Sequence, residues 1–79
     1  MKDFIVIATY TYPYEYTILK LLLEKEGIAH VFENETMVSV SPFYSNAIGG
    51  IKLRIHQKDY KVVKSIIEQL DHPSDLRVV

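Results

Sequence analysis

Apolar and polar positions alternate most cleanly over Ile51-Lys52-Leu53-Arg54-Ile55-His56, where every second side chain is hydrophobic. A period of two marks a half-buried strand, with Ile51, Leu53 and Ile55 turned to the core and Lys52, Arg54 and His56 on the opposite face. Near the start, Phe4-Ile5-Val6-Ile7-Ala8-Thr9-Tyr10 is apolar and β-branched on both alternating sets. That pattern predicts a strand covered on both faces and central in its sheet. Ala29 to Glu33 reads as another strand, and Leu76-Arg77-Val78-Val79 as a short last one.

The period changes to 3.6 in two places. Pro13 suits a first helical position, where its missing N–H costs nothing, and Glu15 falls in the first turn, where the helix dipole favours an anion. The helix runs to Gly27, a C′ residue expected in the left-handed conformation, with Ile28 making the hydrophobic contact behind it. On a helical wheel Tyr16, Leu19, Leu23 and Glu26 share one side, and Thr17, Lys20 and Glu24 the solvent side. Ile18, Leu21 and Leu22 fall outside a narrow stripe. They read as a wide core stripe with one exposed Leu, or as a second contact surface. Lys58 to Leu70 is a second amphipathic helix, with Tyr60, Val63, Ile67 and Leu70 inward and Lys58, Lys61, Lys64 and Glu68 outward; residues 71–75 break it.

The predicted order is strand, helix, strand, strand, helix, strand: a ferredoxin-like βαββαβ fold, α+β, with an antiparallel sheet and two helices on one of its faces. Right-handed crossovers place the first and third strands side by side. The opposite face carries Lys52, Arg54 and His56 beside one apolar set from the first strand, a partly apolar surface that a second copy would cover most cheaply. A homodimer is therefore expected. Between the second and third strands lies the long segment from Asn34 to Gly50, in which Met37 to Val40 extends a hairpin and Pro42 ends it. Long connections in compact domains are usually functional.

The 79 residues leave room for one domain and a small core, because a chain this short buries only about 60% of the surface that its unfolded form exposes. Nine Lys and Arg against ten Asp and Glu give a net charge of -1, which removes the electrostatic case for nucleic acid or an anionic membrane. The absence of Cys removes disulfides, thiolate catalysis and Cys-ligated metals. No apolar run reaches the length of a signal-peptide core or of a spanning helix, and the reading is a cytoplasmic protein.

Candidate chemistry is sparse. His30, His56 and His72 lie on three different elements without metal-binding spacing, so each reads as a structural or solvated residue and no metal or cofactor is implied. Tyr10, Tyr12, Tyr14 and Tyr16 recur at every second position; Tyr10 and Tyr16 are expected in or near the core, leaving Tyr12 and Tyr14 as candidate partner contacts together with Arg54 and His56. Ser45-Asn46-Ala47-Ile48-Gly49-Gly50 stands out, because paired glycines can take positive φ and turn their N–H groups toward an anion. It is neither a P-loop nor a dinucleotide fingerprint. The aromatic strand residues of RNA-recognition modules and the Cys pair of metallochaperones are both missing.

Ala8-Thr9-Tyr10, Pro13-x-Glu15, Leu19, Leu23, Glu26-Gly27-Ile28, Glu33-Asn34-Glu35 and Ser45-Asn46-Ala47-x-Gly49-Gly50-Ile51-Lys52-Leu53 together resemble a small bacterial family of prokaryotic signal-transducing proteins, itself a domain of unknown function. The resemblance implies a ferredoxin-like fold related in shape to PII signal transducers, whose loop between strands two and three contacts partners. Two departures stand out. Tyr12 replaces the family's common Asn before the helix Pro, removing a capping side chain worth about 1 kcal/mol, so that Thr11 substitutes or the helix start frays. The metal-binding extension that some members carry is not expected here.

The expectation is a non-enzymatic regulatory or adaptor domain that binds a protein or small ligand through its long loop, with Asn34, Glu35, Ser45, Asn46, Gly49 and Gly50 as participants. The alternatives are a small enzyme using His or Tyr as acid or base at a dimer interface, and a purely structural homodimer.

Overall fold

The computed structural model describes residues 2–41 and 48–71. Strand β1 spans Phe4–Tyr10, helix α1 Thr17–Lys25, strand β2 His30–Glu33, helix α2 Glu35–Val40, strand β3 Ile51–His56 and helix α3 Tyr60–Asp71, with single 3-10 turns at Pro13–Tyr16 and Gln57–Asp59. The chain is a small α+β protein whose three described strands form one antiparallel sheet in the order β1-β3-β2. The proposed last strand, Leu76 to Val79, lies outside the described residues, as does His72.

The β3 strand carries the core. Ile51, Leu53 and Ile55 are fully buried, and Tyr16, Leu19 and Leu23 of the first helical segment, Val38 of α2 and Val63 of α3 close over them. Both long helices therefore lie on the same face. Tyr60, expected inward, is instead partly exposed, and the Lys64 Nζ lies 5.6 Å from its ring centre. Ile66, Ile67 and Leu70 pack at the core margin beside Val63.

The first strand departs from its expected role. Val6 pairs with Arg54 and Ala8 with Leu53, so Ile7 is an extra residue in a β-bulge. The bulge shifts the alternation by one: Ile5 before it and Ala8 and Tyr10 after it align with the core side of β3, whereas Phe4, Val6 and Thr9 align with His56, Arg54 and Lys52. Both sets of β1 are apolar because the strand changes phase midway, and not because both faces are covered. Among the described strands β1 is an edge, and Val6 is exposed.

The α1 termini follow sequence-local rules. Gly27 adopts φ +70°, its N–H donates to the Glu24 carbonyl, and the Ile28 N–H donates to the Leu23 carbonyl, the paired bonds of a Schellman cap. At the other end Glu15 Oε1 accepts from the backbone N–H groups of Thr11 and Tyr12, both at 2.6 Å. The carboxylate supplies the reciprocal half of a capping box, on the N–H groups before the turn, while the half that an Asn side chain would have supplied is left to the Tyr12 backbone carbonyl, which accepts from the Glu15 N–H. Glu26, placed on the core side of the wheel, is exposed.

Met37 to Val40 does not extend a hairpin. Asn34 turns the chain with φ +76°, the Val38 N–H donates to its carbonyl, and one helical turn drops Val38 into the core. Burial of that one side chain outweighs the β-propensity of the segment, which is in any case a weak local preference.

Gly50 is constrained twice: its φ is +87°, and a Cβ there would lie 2.7 Å from the Tyr10 carbonyl oxygen. Gly27, also at positive φ, has open space around it. Gly27→Ala is expected to cost about 1 kcal/mol, from backbone strain alone. Gly50→Ala adds a backbone clash and is expected to cost roughly 2 to 4 kcal/mol. Urea unfolding of the two variants compares them directly, and equal losses would count against the close approach of residue 50 to β1.

Candidate functional site

The C-terminal ends of β1 and β2 and the start of β3 meet at one end of the sheet, because β3 runs antiparallel to both neighbours. The 3-10 turn after β1, the helix α2 after β2 and the glycine pair before β3 are thereby gathered together. The Asn34 side-chain amide donates to the Gly50 carbonyl at 3.3 Å, tying the entrance of the long loop to its exit. Gly50 is buried and Gly49 exposed, with φ of +87° and +81°. Two positive φ values in succession differ from the alternating right- and left-handed pair of an anion-binding nest. They turn the chain tightly into β3.

Behind this end, a shallow cleft of about 310 Å³ runs between α1 and α2, lined by Pro13, Tyr16, Thr17, Lys20, Leu21, Glu24 and Glu35. That volume is at the lower end of ligand-binding pockets. At its floor, the Tyr16 hydroxyl donates to Glu35 Oε2 at 2.6 Å, and Lys20 Nζ lies 3.3 Å from the same oxygen and 3.4 Å from Oε1. The Tyr16 ring is 2% exposed and stacks on Phe32 with centroids 4.0 Å apart and planes 7° from parallel. Tyr10 closes the other side at 5.2 Å, and Lys20 Nζ is 5.8 Å from the Phe32 ring centre, within cation–π reach.

Electrostatics follow from this arrangement. Burial, then the hydrogen bond to Glu35, then the charge of that carboxylate all favour the neutral phenol, so the Tyr16 pKa is pushed well above its ordinary value. Tyr10 is raised too, by burial first and then by the charges of Asp71 and Glu15. A phenol held neutral in this way is a hydrogen-bond donor and a poor base.

The candidate residues fall into three groups. Asn34, Glu35, Gly49 and Gly50 are gathered at the loop end, and Glu35 is turned inward, onto Tyr16 and Lys20, rather than outward to a partner. Ser45 and Asn46 lie outside the described residues. Tyr12 and Tyr14 flank Pro13 with their rings stacked at 5.7 Å, and Tyr14 is strongly exposed. Arg54 and His56 sit away from these, on the open sheet face: Arg54 Nε pairs with Glu33 Oε1 at 3.1 Å, and His56 packs edge-on against Phe4 with its Nε2 3.9 Å from Asp3 Oδ2. His56 Nδ1 accepts from the Lys58 N–H, and His30 Nδ1 donates to the Ile28 carbonyl at 2.7 Å. Neither histidine lines the cleft.

Lys20 and Phe32 were not singled out by the sequence pattern, which put Lys20 in solvent. A usable signal is present: Lys20 is one helical turn after Tyr16, so a single carboxylate can reach both side chains. Among the described residues no group of three His, Asp or Glu side chains is arranged to hold a metal ion, and no helix is long and apolar enough to cross a membrane.

Tyr16→Phe keeps the stack on Phe32 and removes only the hydroxyl. It is expected to lower stability by about 1 to 2 kcal/mol at neutral pH, since a hydrogen bond to a charged acceptor is lost. The pH dependence has a definite sign. Below about pH 10 the phenol is neutral in folded and unfolded chains, and its contribution is fully present; above that the unfolded chain ionises first, so stability falls as pH rises. Unfolding midpoints measured from pH 8 upward should fall less steeply in Tyr16→Phe than in the parent protein. Parallel curves would show that Tyr16 ionises as freely folded as unfolded.

No protein-family model, curated protein or solved structure matches the chain.

Proposed function

We propose that the protein is a small non-enzymatic regulatory or adaptor domain that contacts its partner or ligand through the segment from Asn34 to Gly50. The observation that carries this reading is the exposure of α2: Val40 is 78% exposed, the most of any large apolar side chain among the described residues, and Met37 is 46% exposed. Apolar groups held in solvent on a loop helix are a recurrent mark of a contact surface. The helix is not loose, because Val38 anchors it in the core and the Asn34 and Glu35 side chains hold its entrance. A segment fixed at its base and apolar at its outer side offers a preformed epitope, which lowers the ordering cost of binding.

A signalling role follows from the family resemblance alone, by analogy of sequence and shape. The ferredoxin-like fold belongs to the same proposal. The outer edge of β1 is unpaired among the described strands, and Leu76 to Val79 would supply the fourth strand there.

An amide fingerprint of the isotopically labelled protein, recorded with a panel of nucleotides and central metabolites and then with proteins captured from a lysate, tests the reading. Shifts concentrated at residues 34–41 and 48–50, with Tyr16 and Lys20 responding beside them, are the expected result. Shifts confined to the open sheet face, around Lys52, Arg54 and His56, would assign binding elsewhere and overturn it.

A further inference from the structure

At the end of the sheet remote from the long loop, the chain start, the end of β3 and the entry to α3 converge on His56. Its Nδ1 accepts from the Lys58 N–H at 3.1 Å, so the ring caps the 3-10 turn that leads into α3. An imidazole nitrogen that accepts a hydrogen bond carries no proton, which fixes the ring as the neutral tautomer with its hydrogen on Nε2. Nε2 in turn lies 3.9 Å from Asp3 Oδ2, beyond hydrogen-bond range but within reach of a small turn of the ring. The carboxylate is held there. Asp3 adopts φ +71°, its carbonyl accepts from the Gln57 N–H at 2.8 Å, and its Oδ1 accepts from Gln57 Nε2 at 3.5 Å. Phe4 packs edge-on against the ring with centroids 5.7 Å apart.

We propose that His56 is a proton-operated latch. Neutral, it caps the turn before α3; protonated, it releases the Lys58 N–H and closes on Asp3. The two arrangements exclude one another. A proton on Nδ1 would face the Lys58 N–H donor to donor, so the ring must turn away, and the positive end of the α3 dipole adds to the repulsion. The charged Nε2–H then gains a carboxylate, and the separation closes toward the roughly 2.8 Å of a charge-assisted bond. Other charges nearby do not offer the ring a competing partner. Arg54, on the same face of β3, is engaged by Glu33, and Lys2 and Lys58 are exposed. Asp59 follows in the turn without an ion pair among the described residues, and β2 starts opposite Ile55 with His30, on the other face of the sheet. Protonation thereby moves one restraint from the start of α3 to the start of β1. The latch is independent of the loop reading, since it lies at the opposite end of the sheet.

NMR of the isotopically labelled whole chain tests it. At about pH 8 the imidazole nitrogens of His56 should show the proton on Nε2 and none on Nδ1. Titration to about pH 5 covers the range in which imidazoles change charge. Over it the Lys58 amide proton should move upfield, as an N–H does on losing its acceptor, with the same midpoint as the His56 ring protons. The Asp3 and Phe4 amides should move with it. His56→Asn keeps a capping oxygen but cannot titrate, so its Lys58 amide should hold still over the same range. Asp3→Asn removes the carboxylate and leaves the donor clash, so there Lys58 should still respond; silence would tie the change to the carboxylate and count against the latch. A Lys58 amide that stays fixed while the ring of the parent protein titrates overturns the proposal, as does a proton found on Nδ1 at about pH 8. A response at Lys58 that persists in His56→Asn belongs to another group, Asp3 or Asp59, and overturns it equally.

Discussion

The alternation of β3 is the constraint on which the rest of the structure depends. Its three apolar residues, Ile51, Leu53 and Ile55, have no solvent exposure at all, and both neighbouring strands are registered against it. A slip of one residue would turn Lys52, Arg54 and His56 into the core, at a cost that no small domain could absorb. The helices have one place to bury their apolar sides, over that same stripe, and so the opposite face of the sheet is left open, with Phe4, Val6 and Val31 beside Lys52, Arg54 and His56. Gly50, immediately before the strand, is held to the end of β1 closely enough to exclude any side chain. The register is thus enforced by burial along the strand and by a steric stop at its beginning.

The sheet end where the loop begins and returns inherits its rigidity from that register. Phe32 is paired with Leu53, which places its ring on the core side, where Tyr16 stacks on it. Tyr16 in turn presents its hydroxyl to Glu35, and Glu35 fixes the start of α2. The polar cluster in the cleft is the end of a packing sequence that starts in the centre of the sheet. Its ionisable members are mutually satisfied: the carboxylate accepts from a phenol and from an ammonium group, and the phenol is held neutral. Such an arrangement specifies where a loop sits more readily than it supplies a reactive group.

How much of this was legible in the sequence depended on whether a feature was local. The Schellman cap at Gly27, the alternation of β3 and the adjacency of the first and third strands all follow from short patterns or from chain-handedness rules. The bulge at Ile7 was not legible as such, because an apolar residue on both alternating sets has two explanations, double coverage and a phase change, and only the pairing partner distinguishes them. The α2 helix was misread because Met37 to Val40 has the composition of a strand, while its helical turn depends on a buried contact of Val38 with residues distant in sequence. The salt bridge of Lys20 was hidden for a similar reason: its partner, Glu35, is fifteen positions away, and no helical period reaches across a strand. The bond from Glu15 back to the Thr11 and Tyr12 N–H groups follows a rule that is local, yet the expected substitute at the helix start was Thr11.

A chain of this size faces a limit in how it can use its surface. One sheet face and one stripe per helix exhaust the apolar groups that its core can hold, so any large apolar residue beyond that number must lie in solvent or between molecules. Those in excess here are spread over several elements: Ile18 and Leu21 on α1, Met37 and Val40 on α2, Tyr60 and Val62 on α3, and Val6 on the open sheet face. The exposed groups of α1 and α2 differ in what holds them. Ile18 and Leu21 are backed by the buried Leu19 and Leu23 of the same helix. The α2 surface is backed by Val38 in the core and by the Asn34 and Glu35 side chains at its entrance, and so is set in place before any partner arrives.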